Sequence, residues 1–568
     1  MDGPRGLGGA ARAAEDVREH RRQAGGRVLH ERVLRLSIAR WDCVILGAGH
    51  NGLVLQAYLA RAGLATCAVE RRAEPGGPLV TEPDPLVPGA VHNPHAVFLR
   101  GIRGMPWFRD LALDRHGVDL IEPALNYCQL TTDGRALRIF LDPDRTCEAL
   151  AELEPADAAT YRRLHEQFSP VLEHVVAVEA MAPPLPVERR RALLGRSRIG
   201  RLALETEPMS AREFVERHFQ HPALRAGLLY VGIIREVDVL APGHGLLVPA
   251  LIASRHKAQL CRGGSAALAR GLAAAVAGAG GVILTGRTPR RILLERGRVS
   301  GVELDDGRRL GCRAVVSTLS PRHTFVDLLG PECPGDLARA GRAYRYNVVG
   351  PLCGLNVALR EPPRYRAAER RPEIAGAGLT VLGLDGPGEI YALYEGRIPS
   401  LGSLWGTVLT AHDPSQAPPG VHTAFVWQKV PYAPGGDPGY WDREGPRHAA
   451  WMLARWREFA PNLDETVVLS RHFLSPVDTE RRFPNLVGGD LGAGWLGPGQ
   501  TGAERPFPGA GGYRTPVPGL YLAGGATHPG GNITGLPGYN AAQVVVRDFG
   551  LKPFWNPPDP EAHWAGLS

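Results

Sequence analysis

Residues 42–70 restrict the fold of this 568-residue chain more than any other stretch. An apolar run leads into three glycines in the pattern Gly-x-Gly-x-x-Gly, namely Gly47, Gly49 and Gly52. An amphipathic segment follows, and a second apolar run ends on Glu70. The order strand, glycine turn, helix, strand and acid is typical of a parallel βαβ unit whose helix N-terminus holds a pyrophosphate and whose acid holds a ribose. We therefore expect a dinucleotide site; the alternative is a glycine-rich loop in an ordinary α/β protein.

Two neighbours of this pattern join the candidate cofactor-binding residues. Asn51 lies inside the glycine turn, and Arg71 follows the acid. One residue departs from the pattern, because Gln56 stands where a small side chain usually lets the helix pack closely on the strand.

The composition is that of a globular protein and excludes several classes of function. Apolar residues make up 44% of the chain and charged residues 22%. The net charge is +7, of which residues 1–40 carry +4, and no stretch interleaves basic and aromatic residues, so nucleic acid is not an expected partner. No apolar run reaches the roughly 18 residues that span a bilayer. An arginine-rich amphipathic segment near 187–204 leaves contact with a membrane surface as an unsupported alternative.

The eight cysteines are scattered, without a Cys-x-x-Cys pair or zinc-binding spacing from histidines. We therefore expect no disulfides, and we expect a reducing, cytoplasmic location. The N-terminus lacks the apolar core of a secretory signal, and we interpret residues 1–38 as a mobile extension. His92 and His95 have the spacing of metal ligands, but no third ligand suggests itself, so no metal is predicted.

A second βαβ-like unit begins near residue 262. Ser265 is placed to cap a helix, and turn sequences at 295–298 and 305–307 connect alternating strands. A helix followed by such a meander is what an FAD domain uses to cover the adenine side of its cofactor.

Residues 331–479 contain short strand candidates separated by prolines and glycines, which predicts an antiparallel-rich sheet. In one of these strands Phe425, Trp427 and Lys429 share a face by period-two alternation. That face either lines a substrate cavity or packs on helices.

The C-terminal third predicts a strand, a glycine-rich loop and a helix. The strand ends near Gly524, and the loop contains His528, Thr534 and Gly535. A helix N-terminus directed at a flavin stabilises negative charge on the reduced ring. No second nucleotide fingerprint has convincing flanking elements, so a nicotinamide cofactor in its own domain is not expected.

These segments resemble the phytoene desaturase (carotenoid oxidoreductase) family of FAD enzymes, within the flavin amine-oxidase superfamily. The similarity is strongest to the branch of pyridine nucleotide-disulphide oxidoreductase domain-containing protein 2. The motifs that carry it lie at 47–54, 76–82, 262–273, 297–304, 485–491 and 513–542.

The resemblance implies an α/β fold in which a Rossmann-like FAD-binding domain of the glutathione-reductase type is built from discontinuous segments. An inserted α+β substrate domain contains the antiparallel-rich sheet. The expected boundaries are 39–115, 255–330 and 480–550 for the FAD domain, 116–254 and 331–479 for the substrate domain, and 551–568 for a C-terminal tail.

The resemblance also assigns roles to cofactor-binding residues. It implies contacts to the pyrophosphate by Gly47, Gly49 and Gly52, to the ribose by Glu70, to the flavin side by Gly76 and Gly77, to the phosphates by Gly524, and to the isoalloxazine by Thr534 and Gly535. Glu74 and Pro78 depart from the pattern, since relatives often carry an arginine there. Pro289 stands where a backbone N–H commonly meets adenine, so the adenine would rely on the carbonyl alone.

The expected function is FAD-dependent oxidation of a small organic molecule, lipophilic or a secondary metabolite, by hydride transfer to flavin N5. Oxygen or a quinone is the expected electron acceptor. One alternative is a flavin amine oxidase, since superfamily amine oxidases use a lysine near N5; another is a non-catalytic FAD-binding scaffold. The candidate substrate-side residues are His92, His95, Trp427, Lys429 and His528.

Overall fold

The computed structural model describes residues 41–346, 349–399 and 403–567. The expected N-terminal extension at 1–38 lies outside these ranges. The strands are β1 Trp41–Leu46, β2 Thr66–Val69, β3 Glu82–Pro83, β4 Val91–His92, β5 Leu99–Arg100, β6 Leu120–Ile121, β7 Leu125–Leu130, β8 Ala136–Phe140, β9 Ala258–Cys261, β10 Val282–Leu284, β11 Pro289–Glu295, β12 Arg298–Leu304, β13 Arg309–Ser317, β14 Leu352–Leu359, β15 Leu379–Leu382, β16 Leu404–Val408, β17 His422–Lys429, β18 Val468–Leu474 and β19 Leu520–Leu522.

The helices lie mainly between the strands of the first sheet and in the segment 143–253. They are α1 His50–Arg61, α2 Pro106–Asp110, α3 Pro143–Ala151, α4 Pro155–Val171, α5 Ala177–Ala180, α6 Val187–Leu194, α7 Arg198–Thr206, α8 Ala211–His218, α9 Pro222–Ile233, α10 Leu247–Ala253, α11 Ala266–Gly278, α12 Gly335–Ala343, α13 Gly388–Tyr394, α14 Leu409–His412, α15 Tyr440–Arg457, α16 Pro476–Arg482, α17 Leu536–Asp548 and α18 Pro560–Ala565. Across the described ranges, none of them combines the length and apolar character needed to cross a membrane.

The first sheet has a parallel core made of strands from widely separated parts of the chain. Its order is β10-β2-β1-β13-β12-β11, and β19 also pairs with β13. The pairs β10–β2, β2–β1, β1–β13 and β13–β19 are parallel. Because both faces of such a sheet are covered, β1 and β2 are apolar and almost wholly buried. The expected Rossmann-like fold is confirmed.

The meander β11–β12–β13 extends this sheet with antiparallel pairs. Its two connections lie at the turn sequences that predicted them. The prediction that Ser265 caps the following helix is wrong in detail. Ser265 occupies the position before α11, but its hydroxyl donates to the Val80 carbonyl at 2.9 Å and accepts no hydrogen bond from the N–H groups of the helix.

The second sheet is largely antiparallel, as predicted. Its order is β18-β14-β17-β16-β15-β7-β8, and the pair β15–β7 is parallel. Phe425 and Trp427 on β17 belong to a large apolar core shared with the helices of 143–253. The face predicted from period-two alternation therefore packs on helices and, at Trp427, also reaches a cavity.

Helix α1 packs between α11 and α17 over the first sheet. The approach of α17 is close, because a Cβ on Gly538 would lie 2.1 Å from the Asn51 carbonyl oxygen. Gln56 is accommodated by reaching across to Val282, whose carbonyl accepts from its Nε2 at 2.7 Å. The amide nitrogen therefore finds an acceptor at the first residue of β10, whereas the buried Oε1 has no donor among the described residues.

Candidate functional site

A cavity of about 470 Å³ begins at the carboxyl ends of β1, β2 and β13 and extends to the second sheet. In parallel α/β sheets, ligands bind at this end of the strands. One part of the wall is the glycine turn, and the opposite part includes Phe98, Trp405 and Trp427. The cavity therefore joins the expected cofactor site to the aromatic face of the second sheet.

The three glycines of the turn have different physical roles. Gly47 has φ +90°, and a Cβ on Gly52 would lie 2.2 Å from the Gly47 carbonyl oxygen, so both are required by the protein itself. Gly49 is extended, with φ −69°, and the nearest atom to a Cβ there would be Gly77 Cα at 3.9 Å. A side chain at Gly49 would thus enter the cavity, where a phosphate could otherwise approach the backbone.

The predicted Gly-Gly pair lies directly on the glycine turn. The N–H of Gly76 donates to the Ala48 carbonyl at 2.8 Å, and Gly76 forms a parallel bridge with Gly49. Gly77 lines the cavity, whereas Gly76 does not.

Glu70 is buried at the end of β2 and lines the cavity. Its carboxylate accepts from the Ala48 N–H at 3.0 Å and from the Arg72 N–H at 2.9 Å. An ionised carboxylate has about four acceptor positions, so capacity remains for ribose hydroxyls. Arg71 and Pro289 lie on the same wall of the cavity.

The C-terminal loop reaches the cavity through residues next to those predicted. Gly525 and Ile533 line it, whereas Gly524, Thr534 and Gly535 do not. The loop is anchored by Trp107, a residue that no sequence motif indicated.

Trp107 lies close to the backbone at the start of α17. Trp107 Nε1 donates to the Thr534 carbonyl at 2.7 Å, and a Cβ on Gly535 would lie 2.7 Å from the same nitrogen. No local pattern around Trp107 points to this contact.

His50 is a second residue without a predicted role. Its Nε2 lies 3.1 Å from the Asn532 carbonyl oxygen, so it connects the glycine turn to the C-terminal loop. Burial lowers the pKa of His50 to about 4, and the ring is neutral near pH 7. The only sequence feature that could have indicated this role is the position of His50 within the glycine turn.

Two of the predicted substrate-side residues, His95 and Trp427, line the cavity. Burial lowers the pKa of His95 to about 3, and its ring packs edge-on against Phe483. Trp427 packs edge-on against Trp405, with ring centroids 4.9 Å apart. The neutral histidine and the indole both suit contact with an uncharged ring or chain.

The other three candidates, His92, Lys429 and His528, are not part of the cavity wall. His528 is buried, and its Nε2 donates to the Glu179 carbonyl at 2.9 Å. Lys429 donates to Glu236 at 2.5 Å and to the Gly350 carbonyl at 3.0 Å.

His92 and His95 diverge and do not form a joint site. His92 Nε2 lies 2.8 Å from Asp84 Oδ2, and the ligand atoms of Asp84, His92 and His472 lie within 4.8 Å of one another. Asp84 already accepts from two backbone N–H groups and from the Ser470 hydroxyl. This network joins the 84–92 hairpin to β18, and the absence of a metal stays a prediction.

Comparison with known proteins identifies the family. A family model described as flavin containing amine oxidoreductase matches residues 52–440. The chain belongs to this family. A limonene dehydrogenase subunit of Castellaniella defragrans is 30% identical over 92% of this chain and 97% of its own length. Pyridine nucleotide-disulfide oxidoreductase domain-containing protein 2 of Mus musculus is 30% identical over 90% of this chain and 94% of its own length. The branch inferred from the sequence motifs is confirmed, and phytoene desaturases are among the more distant relatives.

Solved flavoenzyme structures share the fold. Cyclohexylamine oxidase from Brevibacterium oxydans superposes with a TM-score of 0.57 at 16% identity, over 90% of this chain and all of its own. The chain is an FAD-dependent oxidoreductase of the flavin-containing amine oxidoreductase family.

The residues present fit FAD, the cofactor of this family. The open side of Gly49 and the carboxylate of Glu70 provide the cradle described above. Asn51 lines the cavity, and its buried Oδ1 has no hydrogen-bond donor among the described residues. An orphaned buried acceptor is costly, and a hydroxyl-bearing cofactor would satisfy it.

A Gly52→Ala substitution is expected to distort the glycine turn, because the added methyl group clashes with the protein backbone. The added Cβ would overlap the Gly47 carbonyl, so α1 or the turn must move, at a cost of about 1–3 kcal/mol. We expect a lower melting temperature together with weaker FAD retention. Thermal unfolding and the flavin-to-protein absorbance ratio measure the two effects, and unchanged values for both would contradict the expected overlap.

Proposed function

We propose that this FAD-dependent oxidoreductase dehydrogenates a largely apolar organic substrate, with the reacting carbon held between the cofactor and the aromatic wall. The observation that carries the proposal is the continuity of one cavity from the glycine turn to Phe98, Trp405 and Trp427. Bound FAD supplies an acceptor for a hydride at its N5. The described residues bind the substrate, orient it and exclude water.

The names of the relatives favour a carbon skeleton as the reacting part. One is a limonene dehydrogenase subunit and others are phytoene desaturases, so we propose an isoprenoid or similar hydrocarbon portion. Aromatic side chains provide large apolar contact area for such a group.

Dehydrogenation of a C–C bond also releases a proton, and Glu236 is our proposed acceptor. It lines the cavity, and burial raises the pKa of its carboxyl to about 7, while the Lys429 ammonium opposes the shift. An acid with a pKa near the working pH is suited to proton transfer. Glu236 was not predicted from the sequence.

Lys429 is then a positioning residue for Glu236. An amine oxidase with Lys429 beside the flavin is less well supported, because Lys429 is not part of the cavity wall and donates to Glu236 and a carbonyl. The amine oxidases among the solved structures share the fold at low identity, which does not extend to their substrates.

The function can be tested by mixing FAD-loaded protein, without oxygen, with isoprenoids (limonene, geraniol, geranic acid) and with amines (cyclohexylamine, putrescine). We expect an isoprenoid to bleach the visible absorbance of the oxidised flavin. Bleaching by amines alone would support an amine oxidase instead. A flavin that only dithionite reduces would support the non-catalytic scaffold.

Oxygen or a quinone is the proposed electron acceptor, and a cytoplasmic location is proposed with it. Protein reduced with dithionite and freed of excess reductant should regain its oxidised spectrum with air or menadione. Recovery with NAD alone would contradict the proposed acceptors.

A Trp427→Ala substitution is expected to impair substrate use while FAD is retained. The indole forms part of the aromatic wall and lies on β17 of the second sheet, whereas the glycine turn belongs to the first sheet. We expect flavin reduction by the active isoprenoid to slow by about tenfold or more, equivalent to roughly 1.4 kcal/mol. Stopped-flow absorbance measures the rate, and Trp451→Ala, a change to a half-buried tryptophan on α15, serves as control.

A further inference from the structure

A smaller cavity of about 60 Å³ adjoins the site, and three cationic side chains line it. They are Arg100, Arg235 and Lys257. Arg100 lines both this cavity and the main one, so the two spaces share a wall. The remainder of the lining is mostly apolar and includes Tyr127 and Tyr161.

In the part of the chain that the structure describes, the charges in this cavity have no ion-pair partner. Among the described residues, neither guanidinium makes an ion pair or a side-chain hydrogen bond, and Arg235 Nε is buried without an acceptor. Lys257 Nζ donates to two main-chain carbonyls, at 2.6 Å to Leu251 and 3.4 Å to Ile252.

The nearby acids are engaged elsewhere. Glu122 accepts from the Lys257 backbone N–H and from Gln259, and Glu236 pairs with Lys429. The guanidinium groups of Arg100 and Arg235, together with the Lys257 amine, therefore face a small cavity in which no carboxylate of the described residues pairs with either guanidinium.

Such an arrangement is costly in the free protein. Burial lowers the pKa of Arg235 to about 10 and that of Lys257 to about 7, and Arg235 is close enough to lower the pKa of both Arg100 and Lys257. Removing a charge from water without a partner is unfavourable by several kcal/mol, whereas an anion bound between guanidinium groups gains charge-assisted hydrogen bonds. The cavity is thus complementary to an anionic group.

We propose that the substrate carries a carboxylate, which Arg100, Arg235 and Lys257 bind in this smaller cavity. This rests on the proposed function, because Arg100 connects the carboxylate to the main cavity where oxidation takes place. The substrate class is then an amphipathic organic acid. Its charged end lies among the three cations, and its apolar body extends along Phe98 to the aromatic wall.

The test measures binding to the FAD-loaded protein by calorimetry, with geranic acid, geraniol and geranyl phosphate as probes. We expect geranic acid to bind at least tenfold more tightly than geraniol. Arg100→Gln and Arg235→Gln should each weaken binding of the acid by about tenfold to a hundredfold, since a hydrogen bond to a charged group contributes about 1.5–3 kcal/mol. Both variants should leave binding of geraniol almost unchanged.

Arg255→Gln is the matched control, because Arg255 is two residues from Lys257 in the sequence but its side chain is exposed to solvent. Its binding of geranic acid should equal that of the unaltered protein. Equal affinities for acid and alcohol, or acid binding that survives both substitutions, would overturn the proposal. Tighter binding of geranyl phosphate would replace the carboxylate by a phosphate ester.

Folding is checked by FAD content and by melting with and without geranic acid. Removal of an unpartnered cation should not lower the melting temperature of the free variants, and the acid should raise it only in the unaltered protein and the control. Failure of the proposed function is a separate result: the acid would still bind, while no isoprenoid bleaches the flavin.

Discussion

Replacement of Gly49 by leucine is expected to yield folded protein that no longer retains FAD. The backbone at Gly49 is extended, so a leucine can adopt its conformation, and its Cβ would have only Gly77 Cα as a near neighbour. The rest of the side chain would occupy the part of the cavity next to the helix N-terminus. We expect the FAD affinity to fall by about a hundredfold or more, equivalent to roughly 2.8 kcal/mol.

The measurement is the flavin-to-protein ratio after purification and FAD titration of the apo-protein. Gly278→Leu is the matched control, since a side chain at this end of α11 meets no atom within 4 Å. It should retain FAD fully. A Gly49→Leu protein with normal flavin content would show that the cofactor does not lie against this turn.

The second large effect is expected from Lys429→Met, which leaves Glu236 without its ammonium partner. Both side chains are buried, and breaking a buried ion pair from one side costs about 3–5 kcal/mol. The pKa of Glu236 is already raised to about 7, and loss of the cation raises it further. Urea unfolding at several pH values measures the loss.

The sign of the pH dependence follows from the raised pKa. Between the unfolded value of 4.5 and the folded value of about 7, the folded state binds more protons, so stability falls as pH rises. In Lys429→Met the stability continues to fall above pH 7, because the pKa of Glu236 is raised further. Below pH 7 the Glu236 carboxyl is largely neutral, so the substitution costs less stability there. Glu236→Gln combined with Lys429→Met should recover most of the stability, and a double variant as unstable as the single one would contradict the pairing.

The parts of the fold that the sequence predicted are those determined by local pattern. The unit β1-α1-β2 and its glycines follow from short-range spacing, and the meander follows from its turn residues. The exact hydrogen bonding of Ser265 could not be predicted in this way, because its acceptor, the Val80 carbonyl, belongs to a distant segment of the chain.

The substrate side of the site was less predictable for the same physical reason. Glu236 lies 193 residues from Lys429, and no periodicity links them. Arg100 and Arg235 are 135 residues apart in the sequence and line the same small cavity only in the folded chain. His92 and His95 have ligand-like spacing, yet the hairpin directs one to Asp84 and the other to the cavity.

The dependence of the first sheet on β19 and of α1 on Gly538 has a consequence for biosynthesis. When β1, α1 and β2 leave the ribosome, the strand and helix that complete their packing have not yet been translated. The nascent chain therefore exposes the side of α1 that α17 covers until the last part of the chain is translated. We expect FAD to bind only after β19 and α17 have been translated. Nonsense codons before these elements should therefore be as damaging as those near the start of the gene.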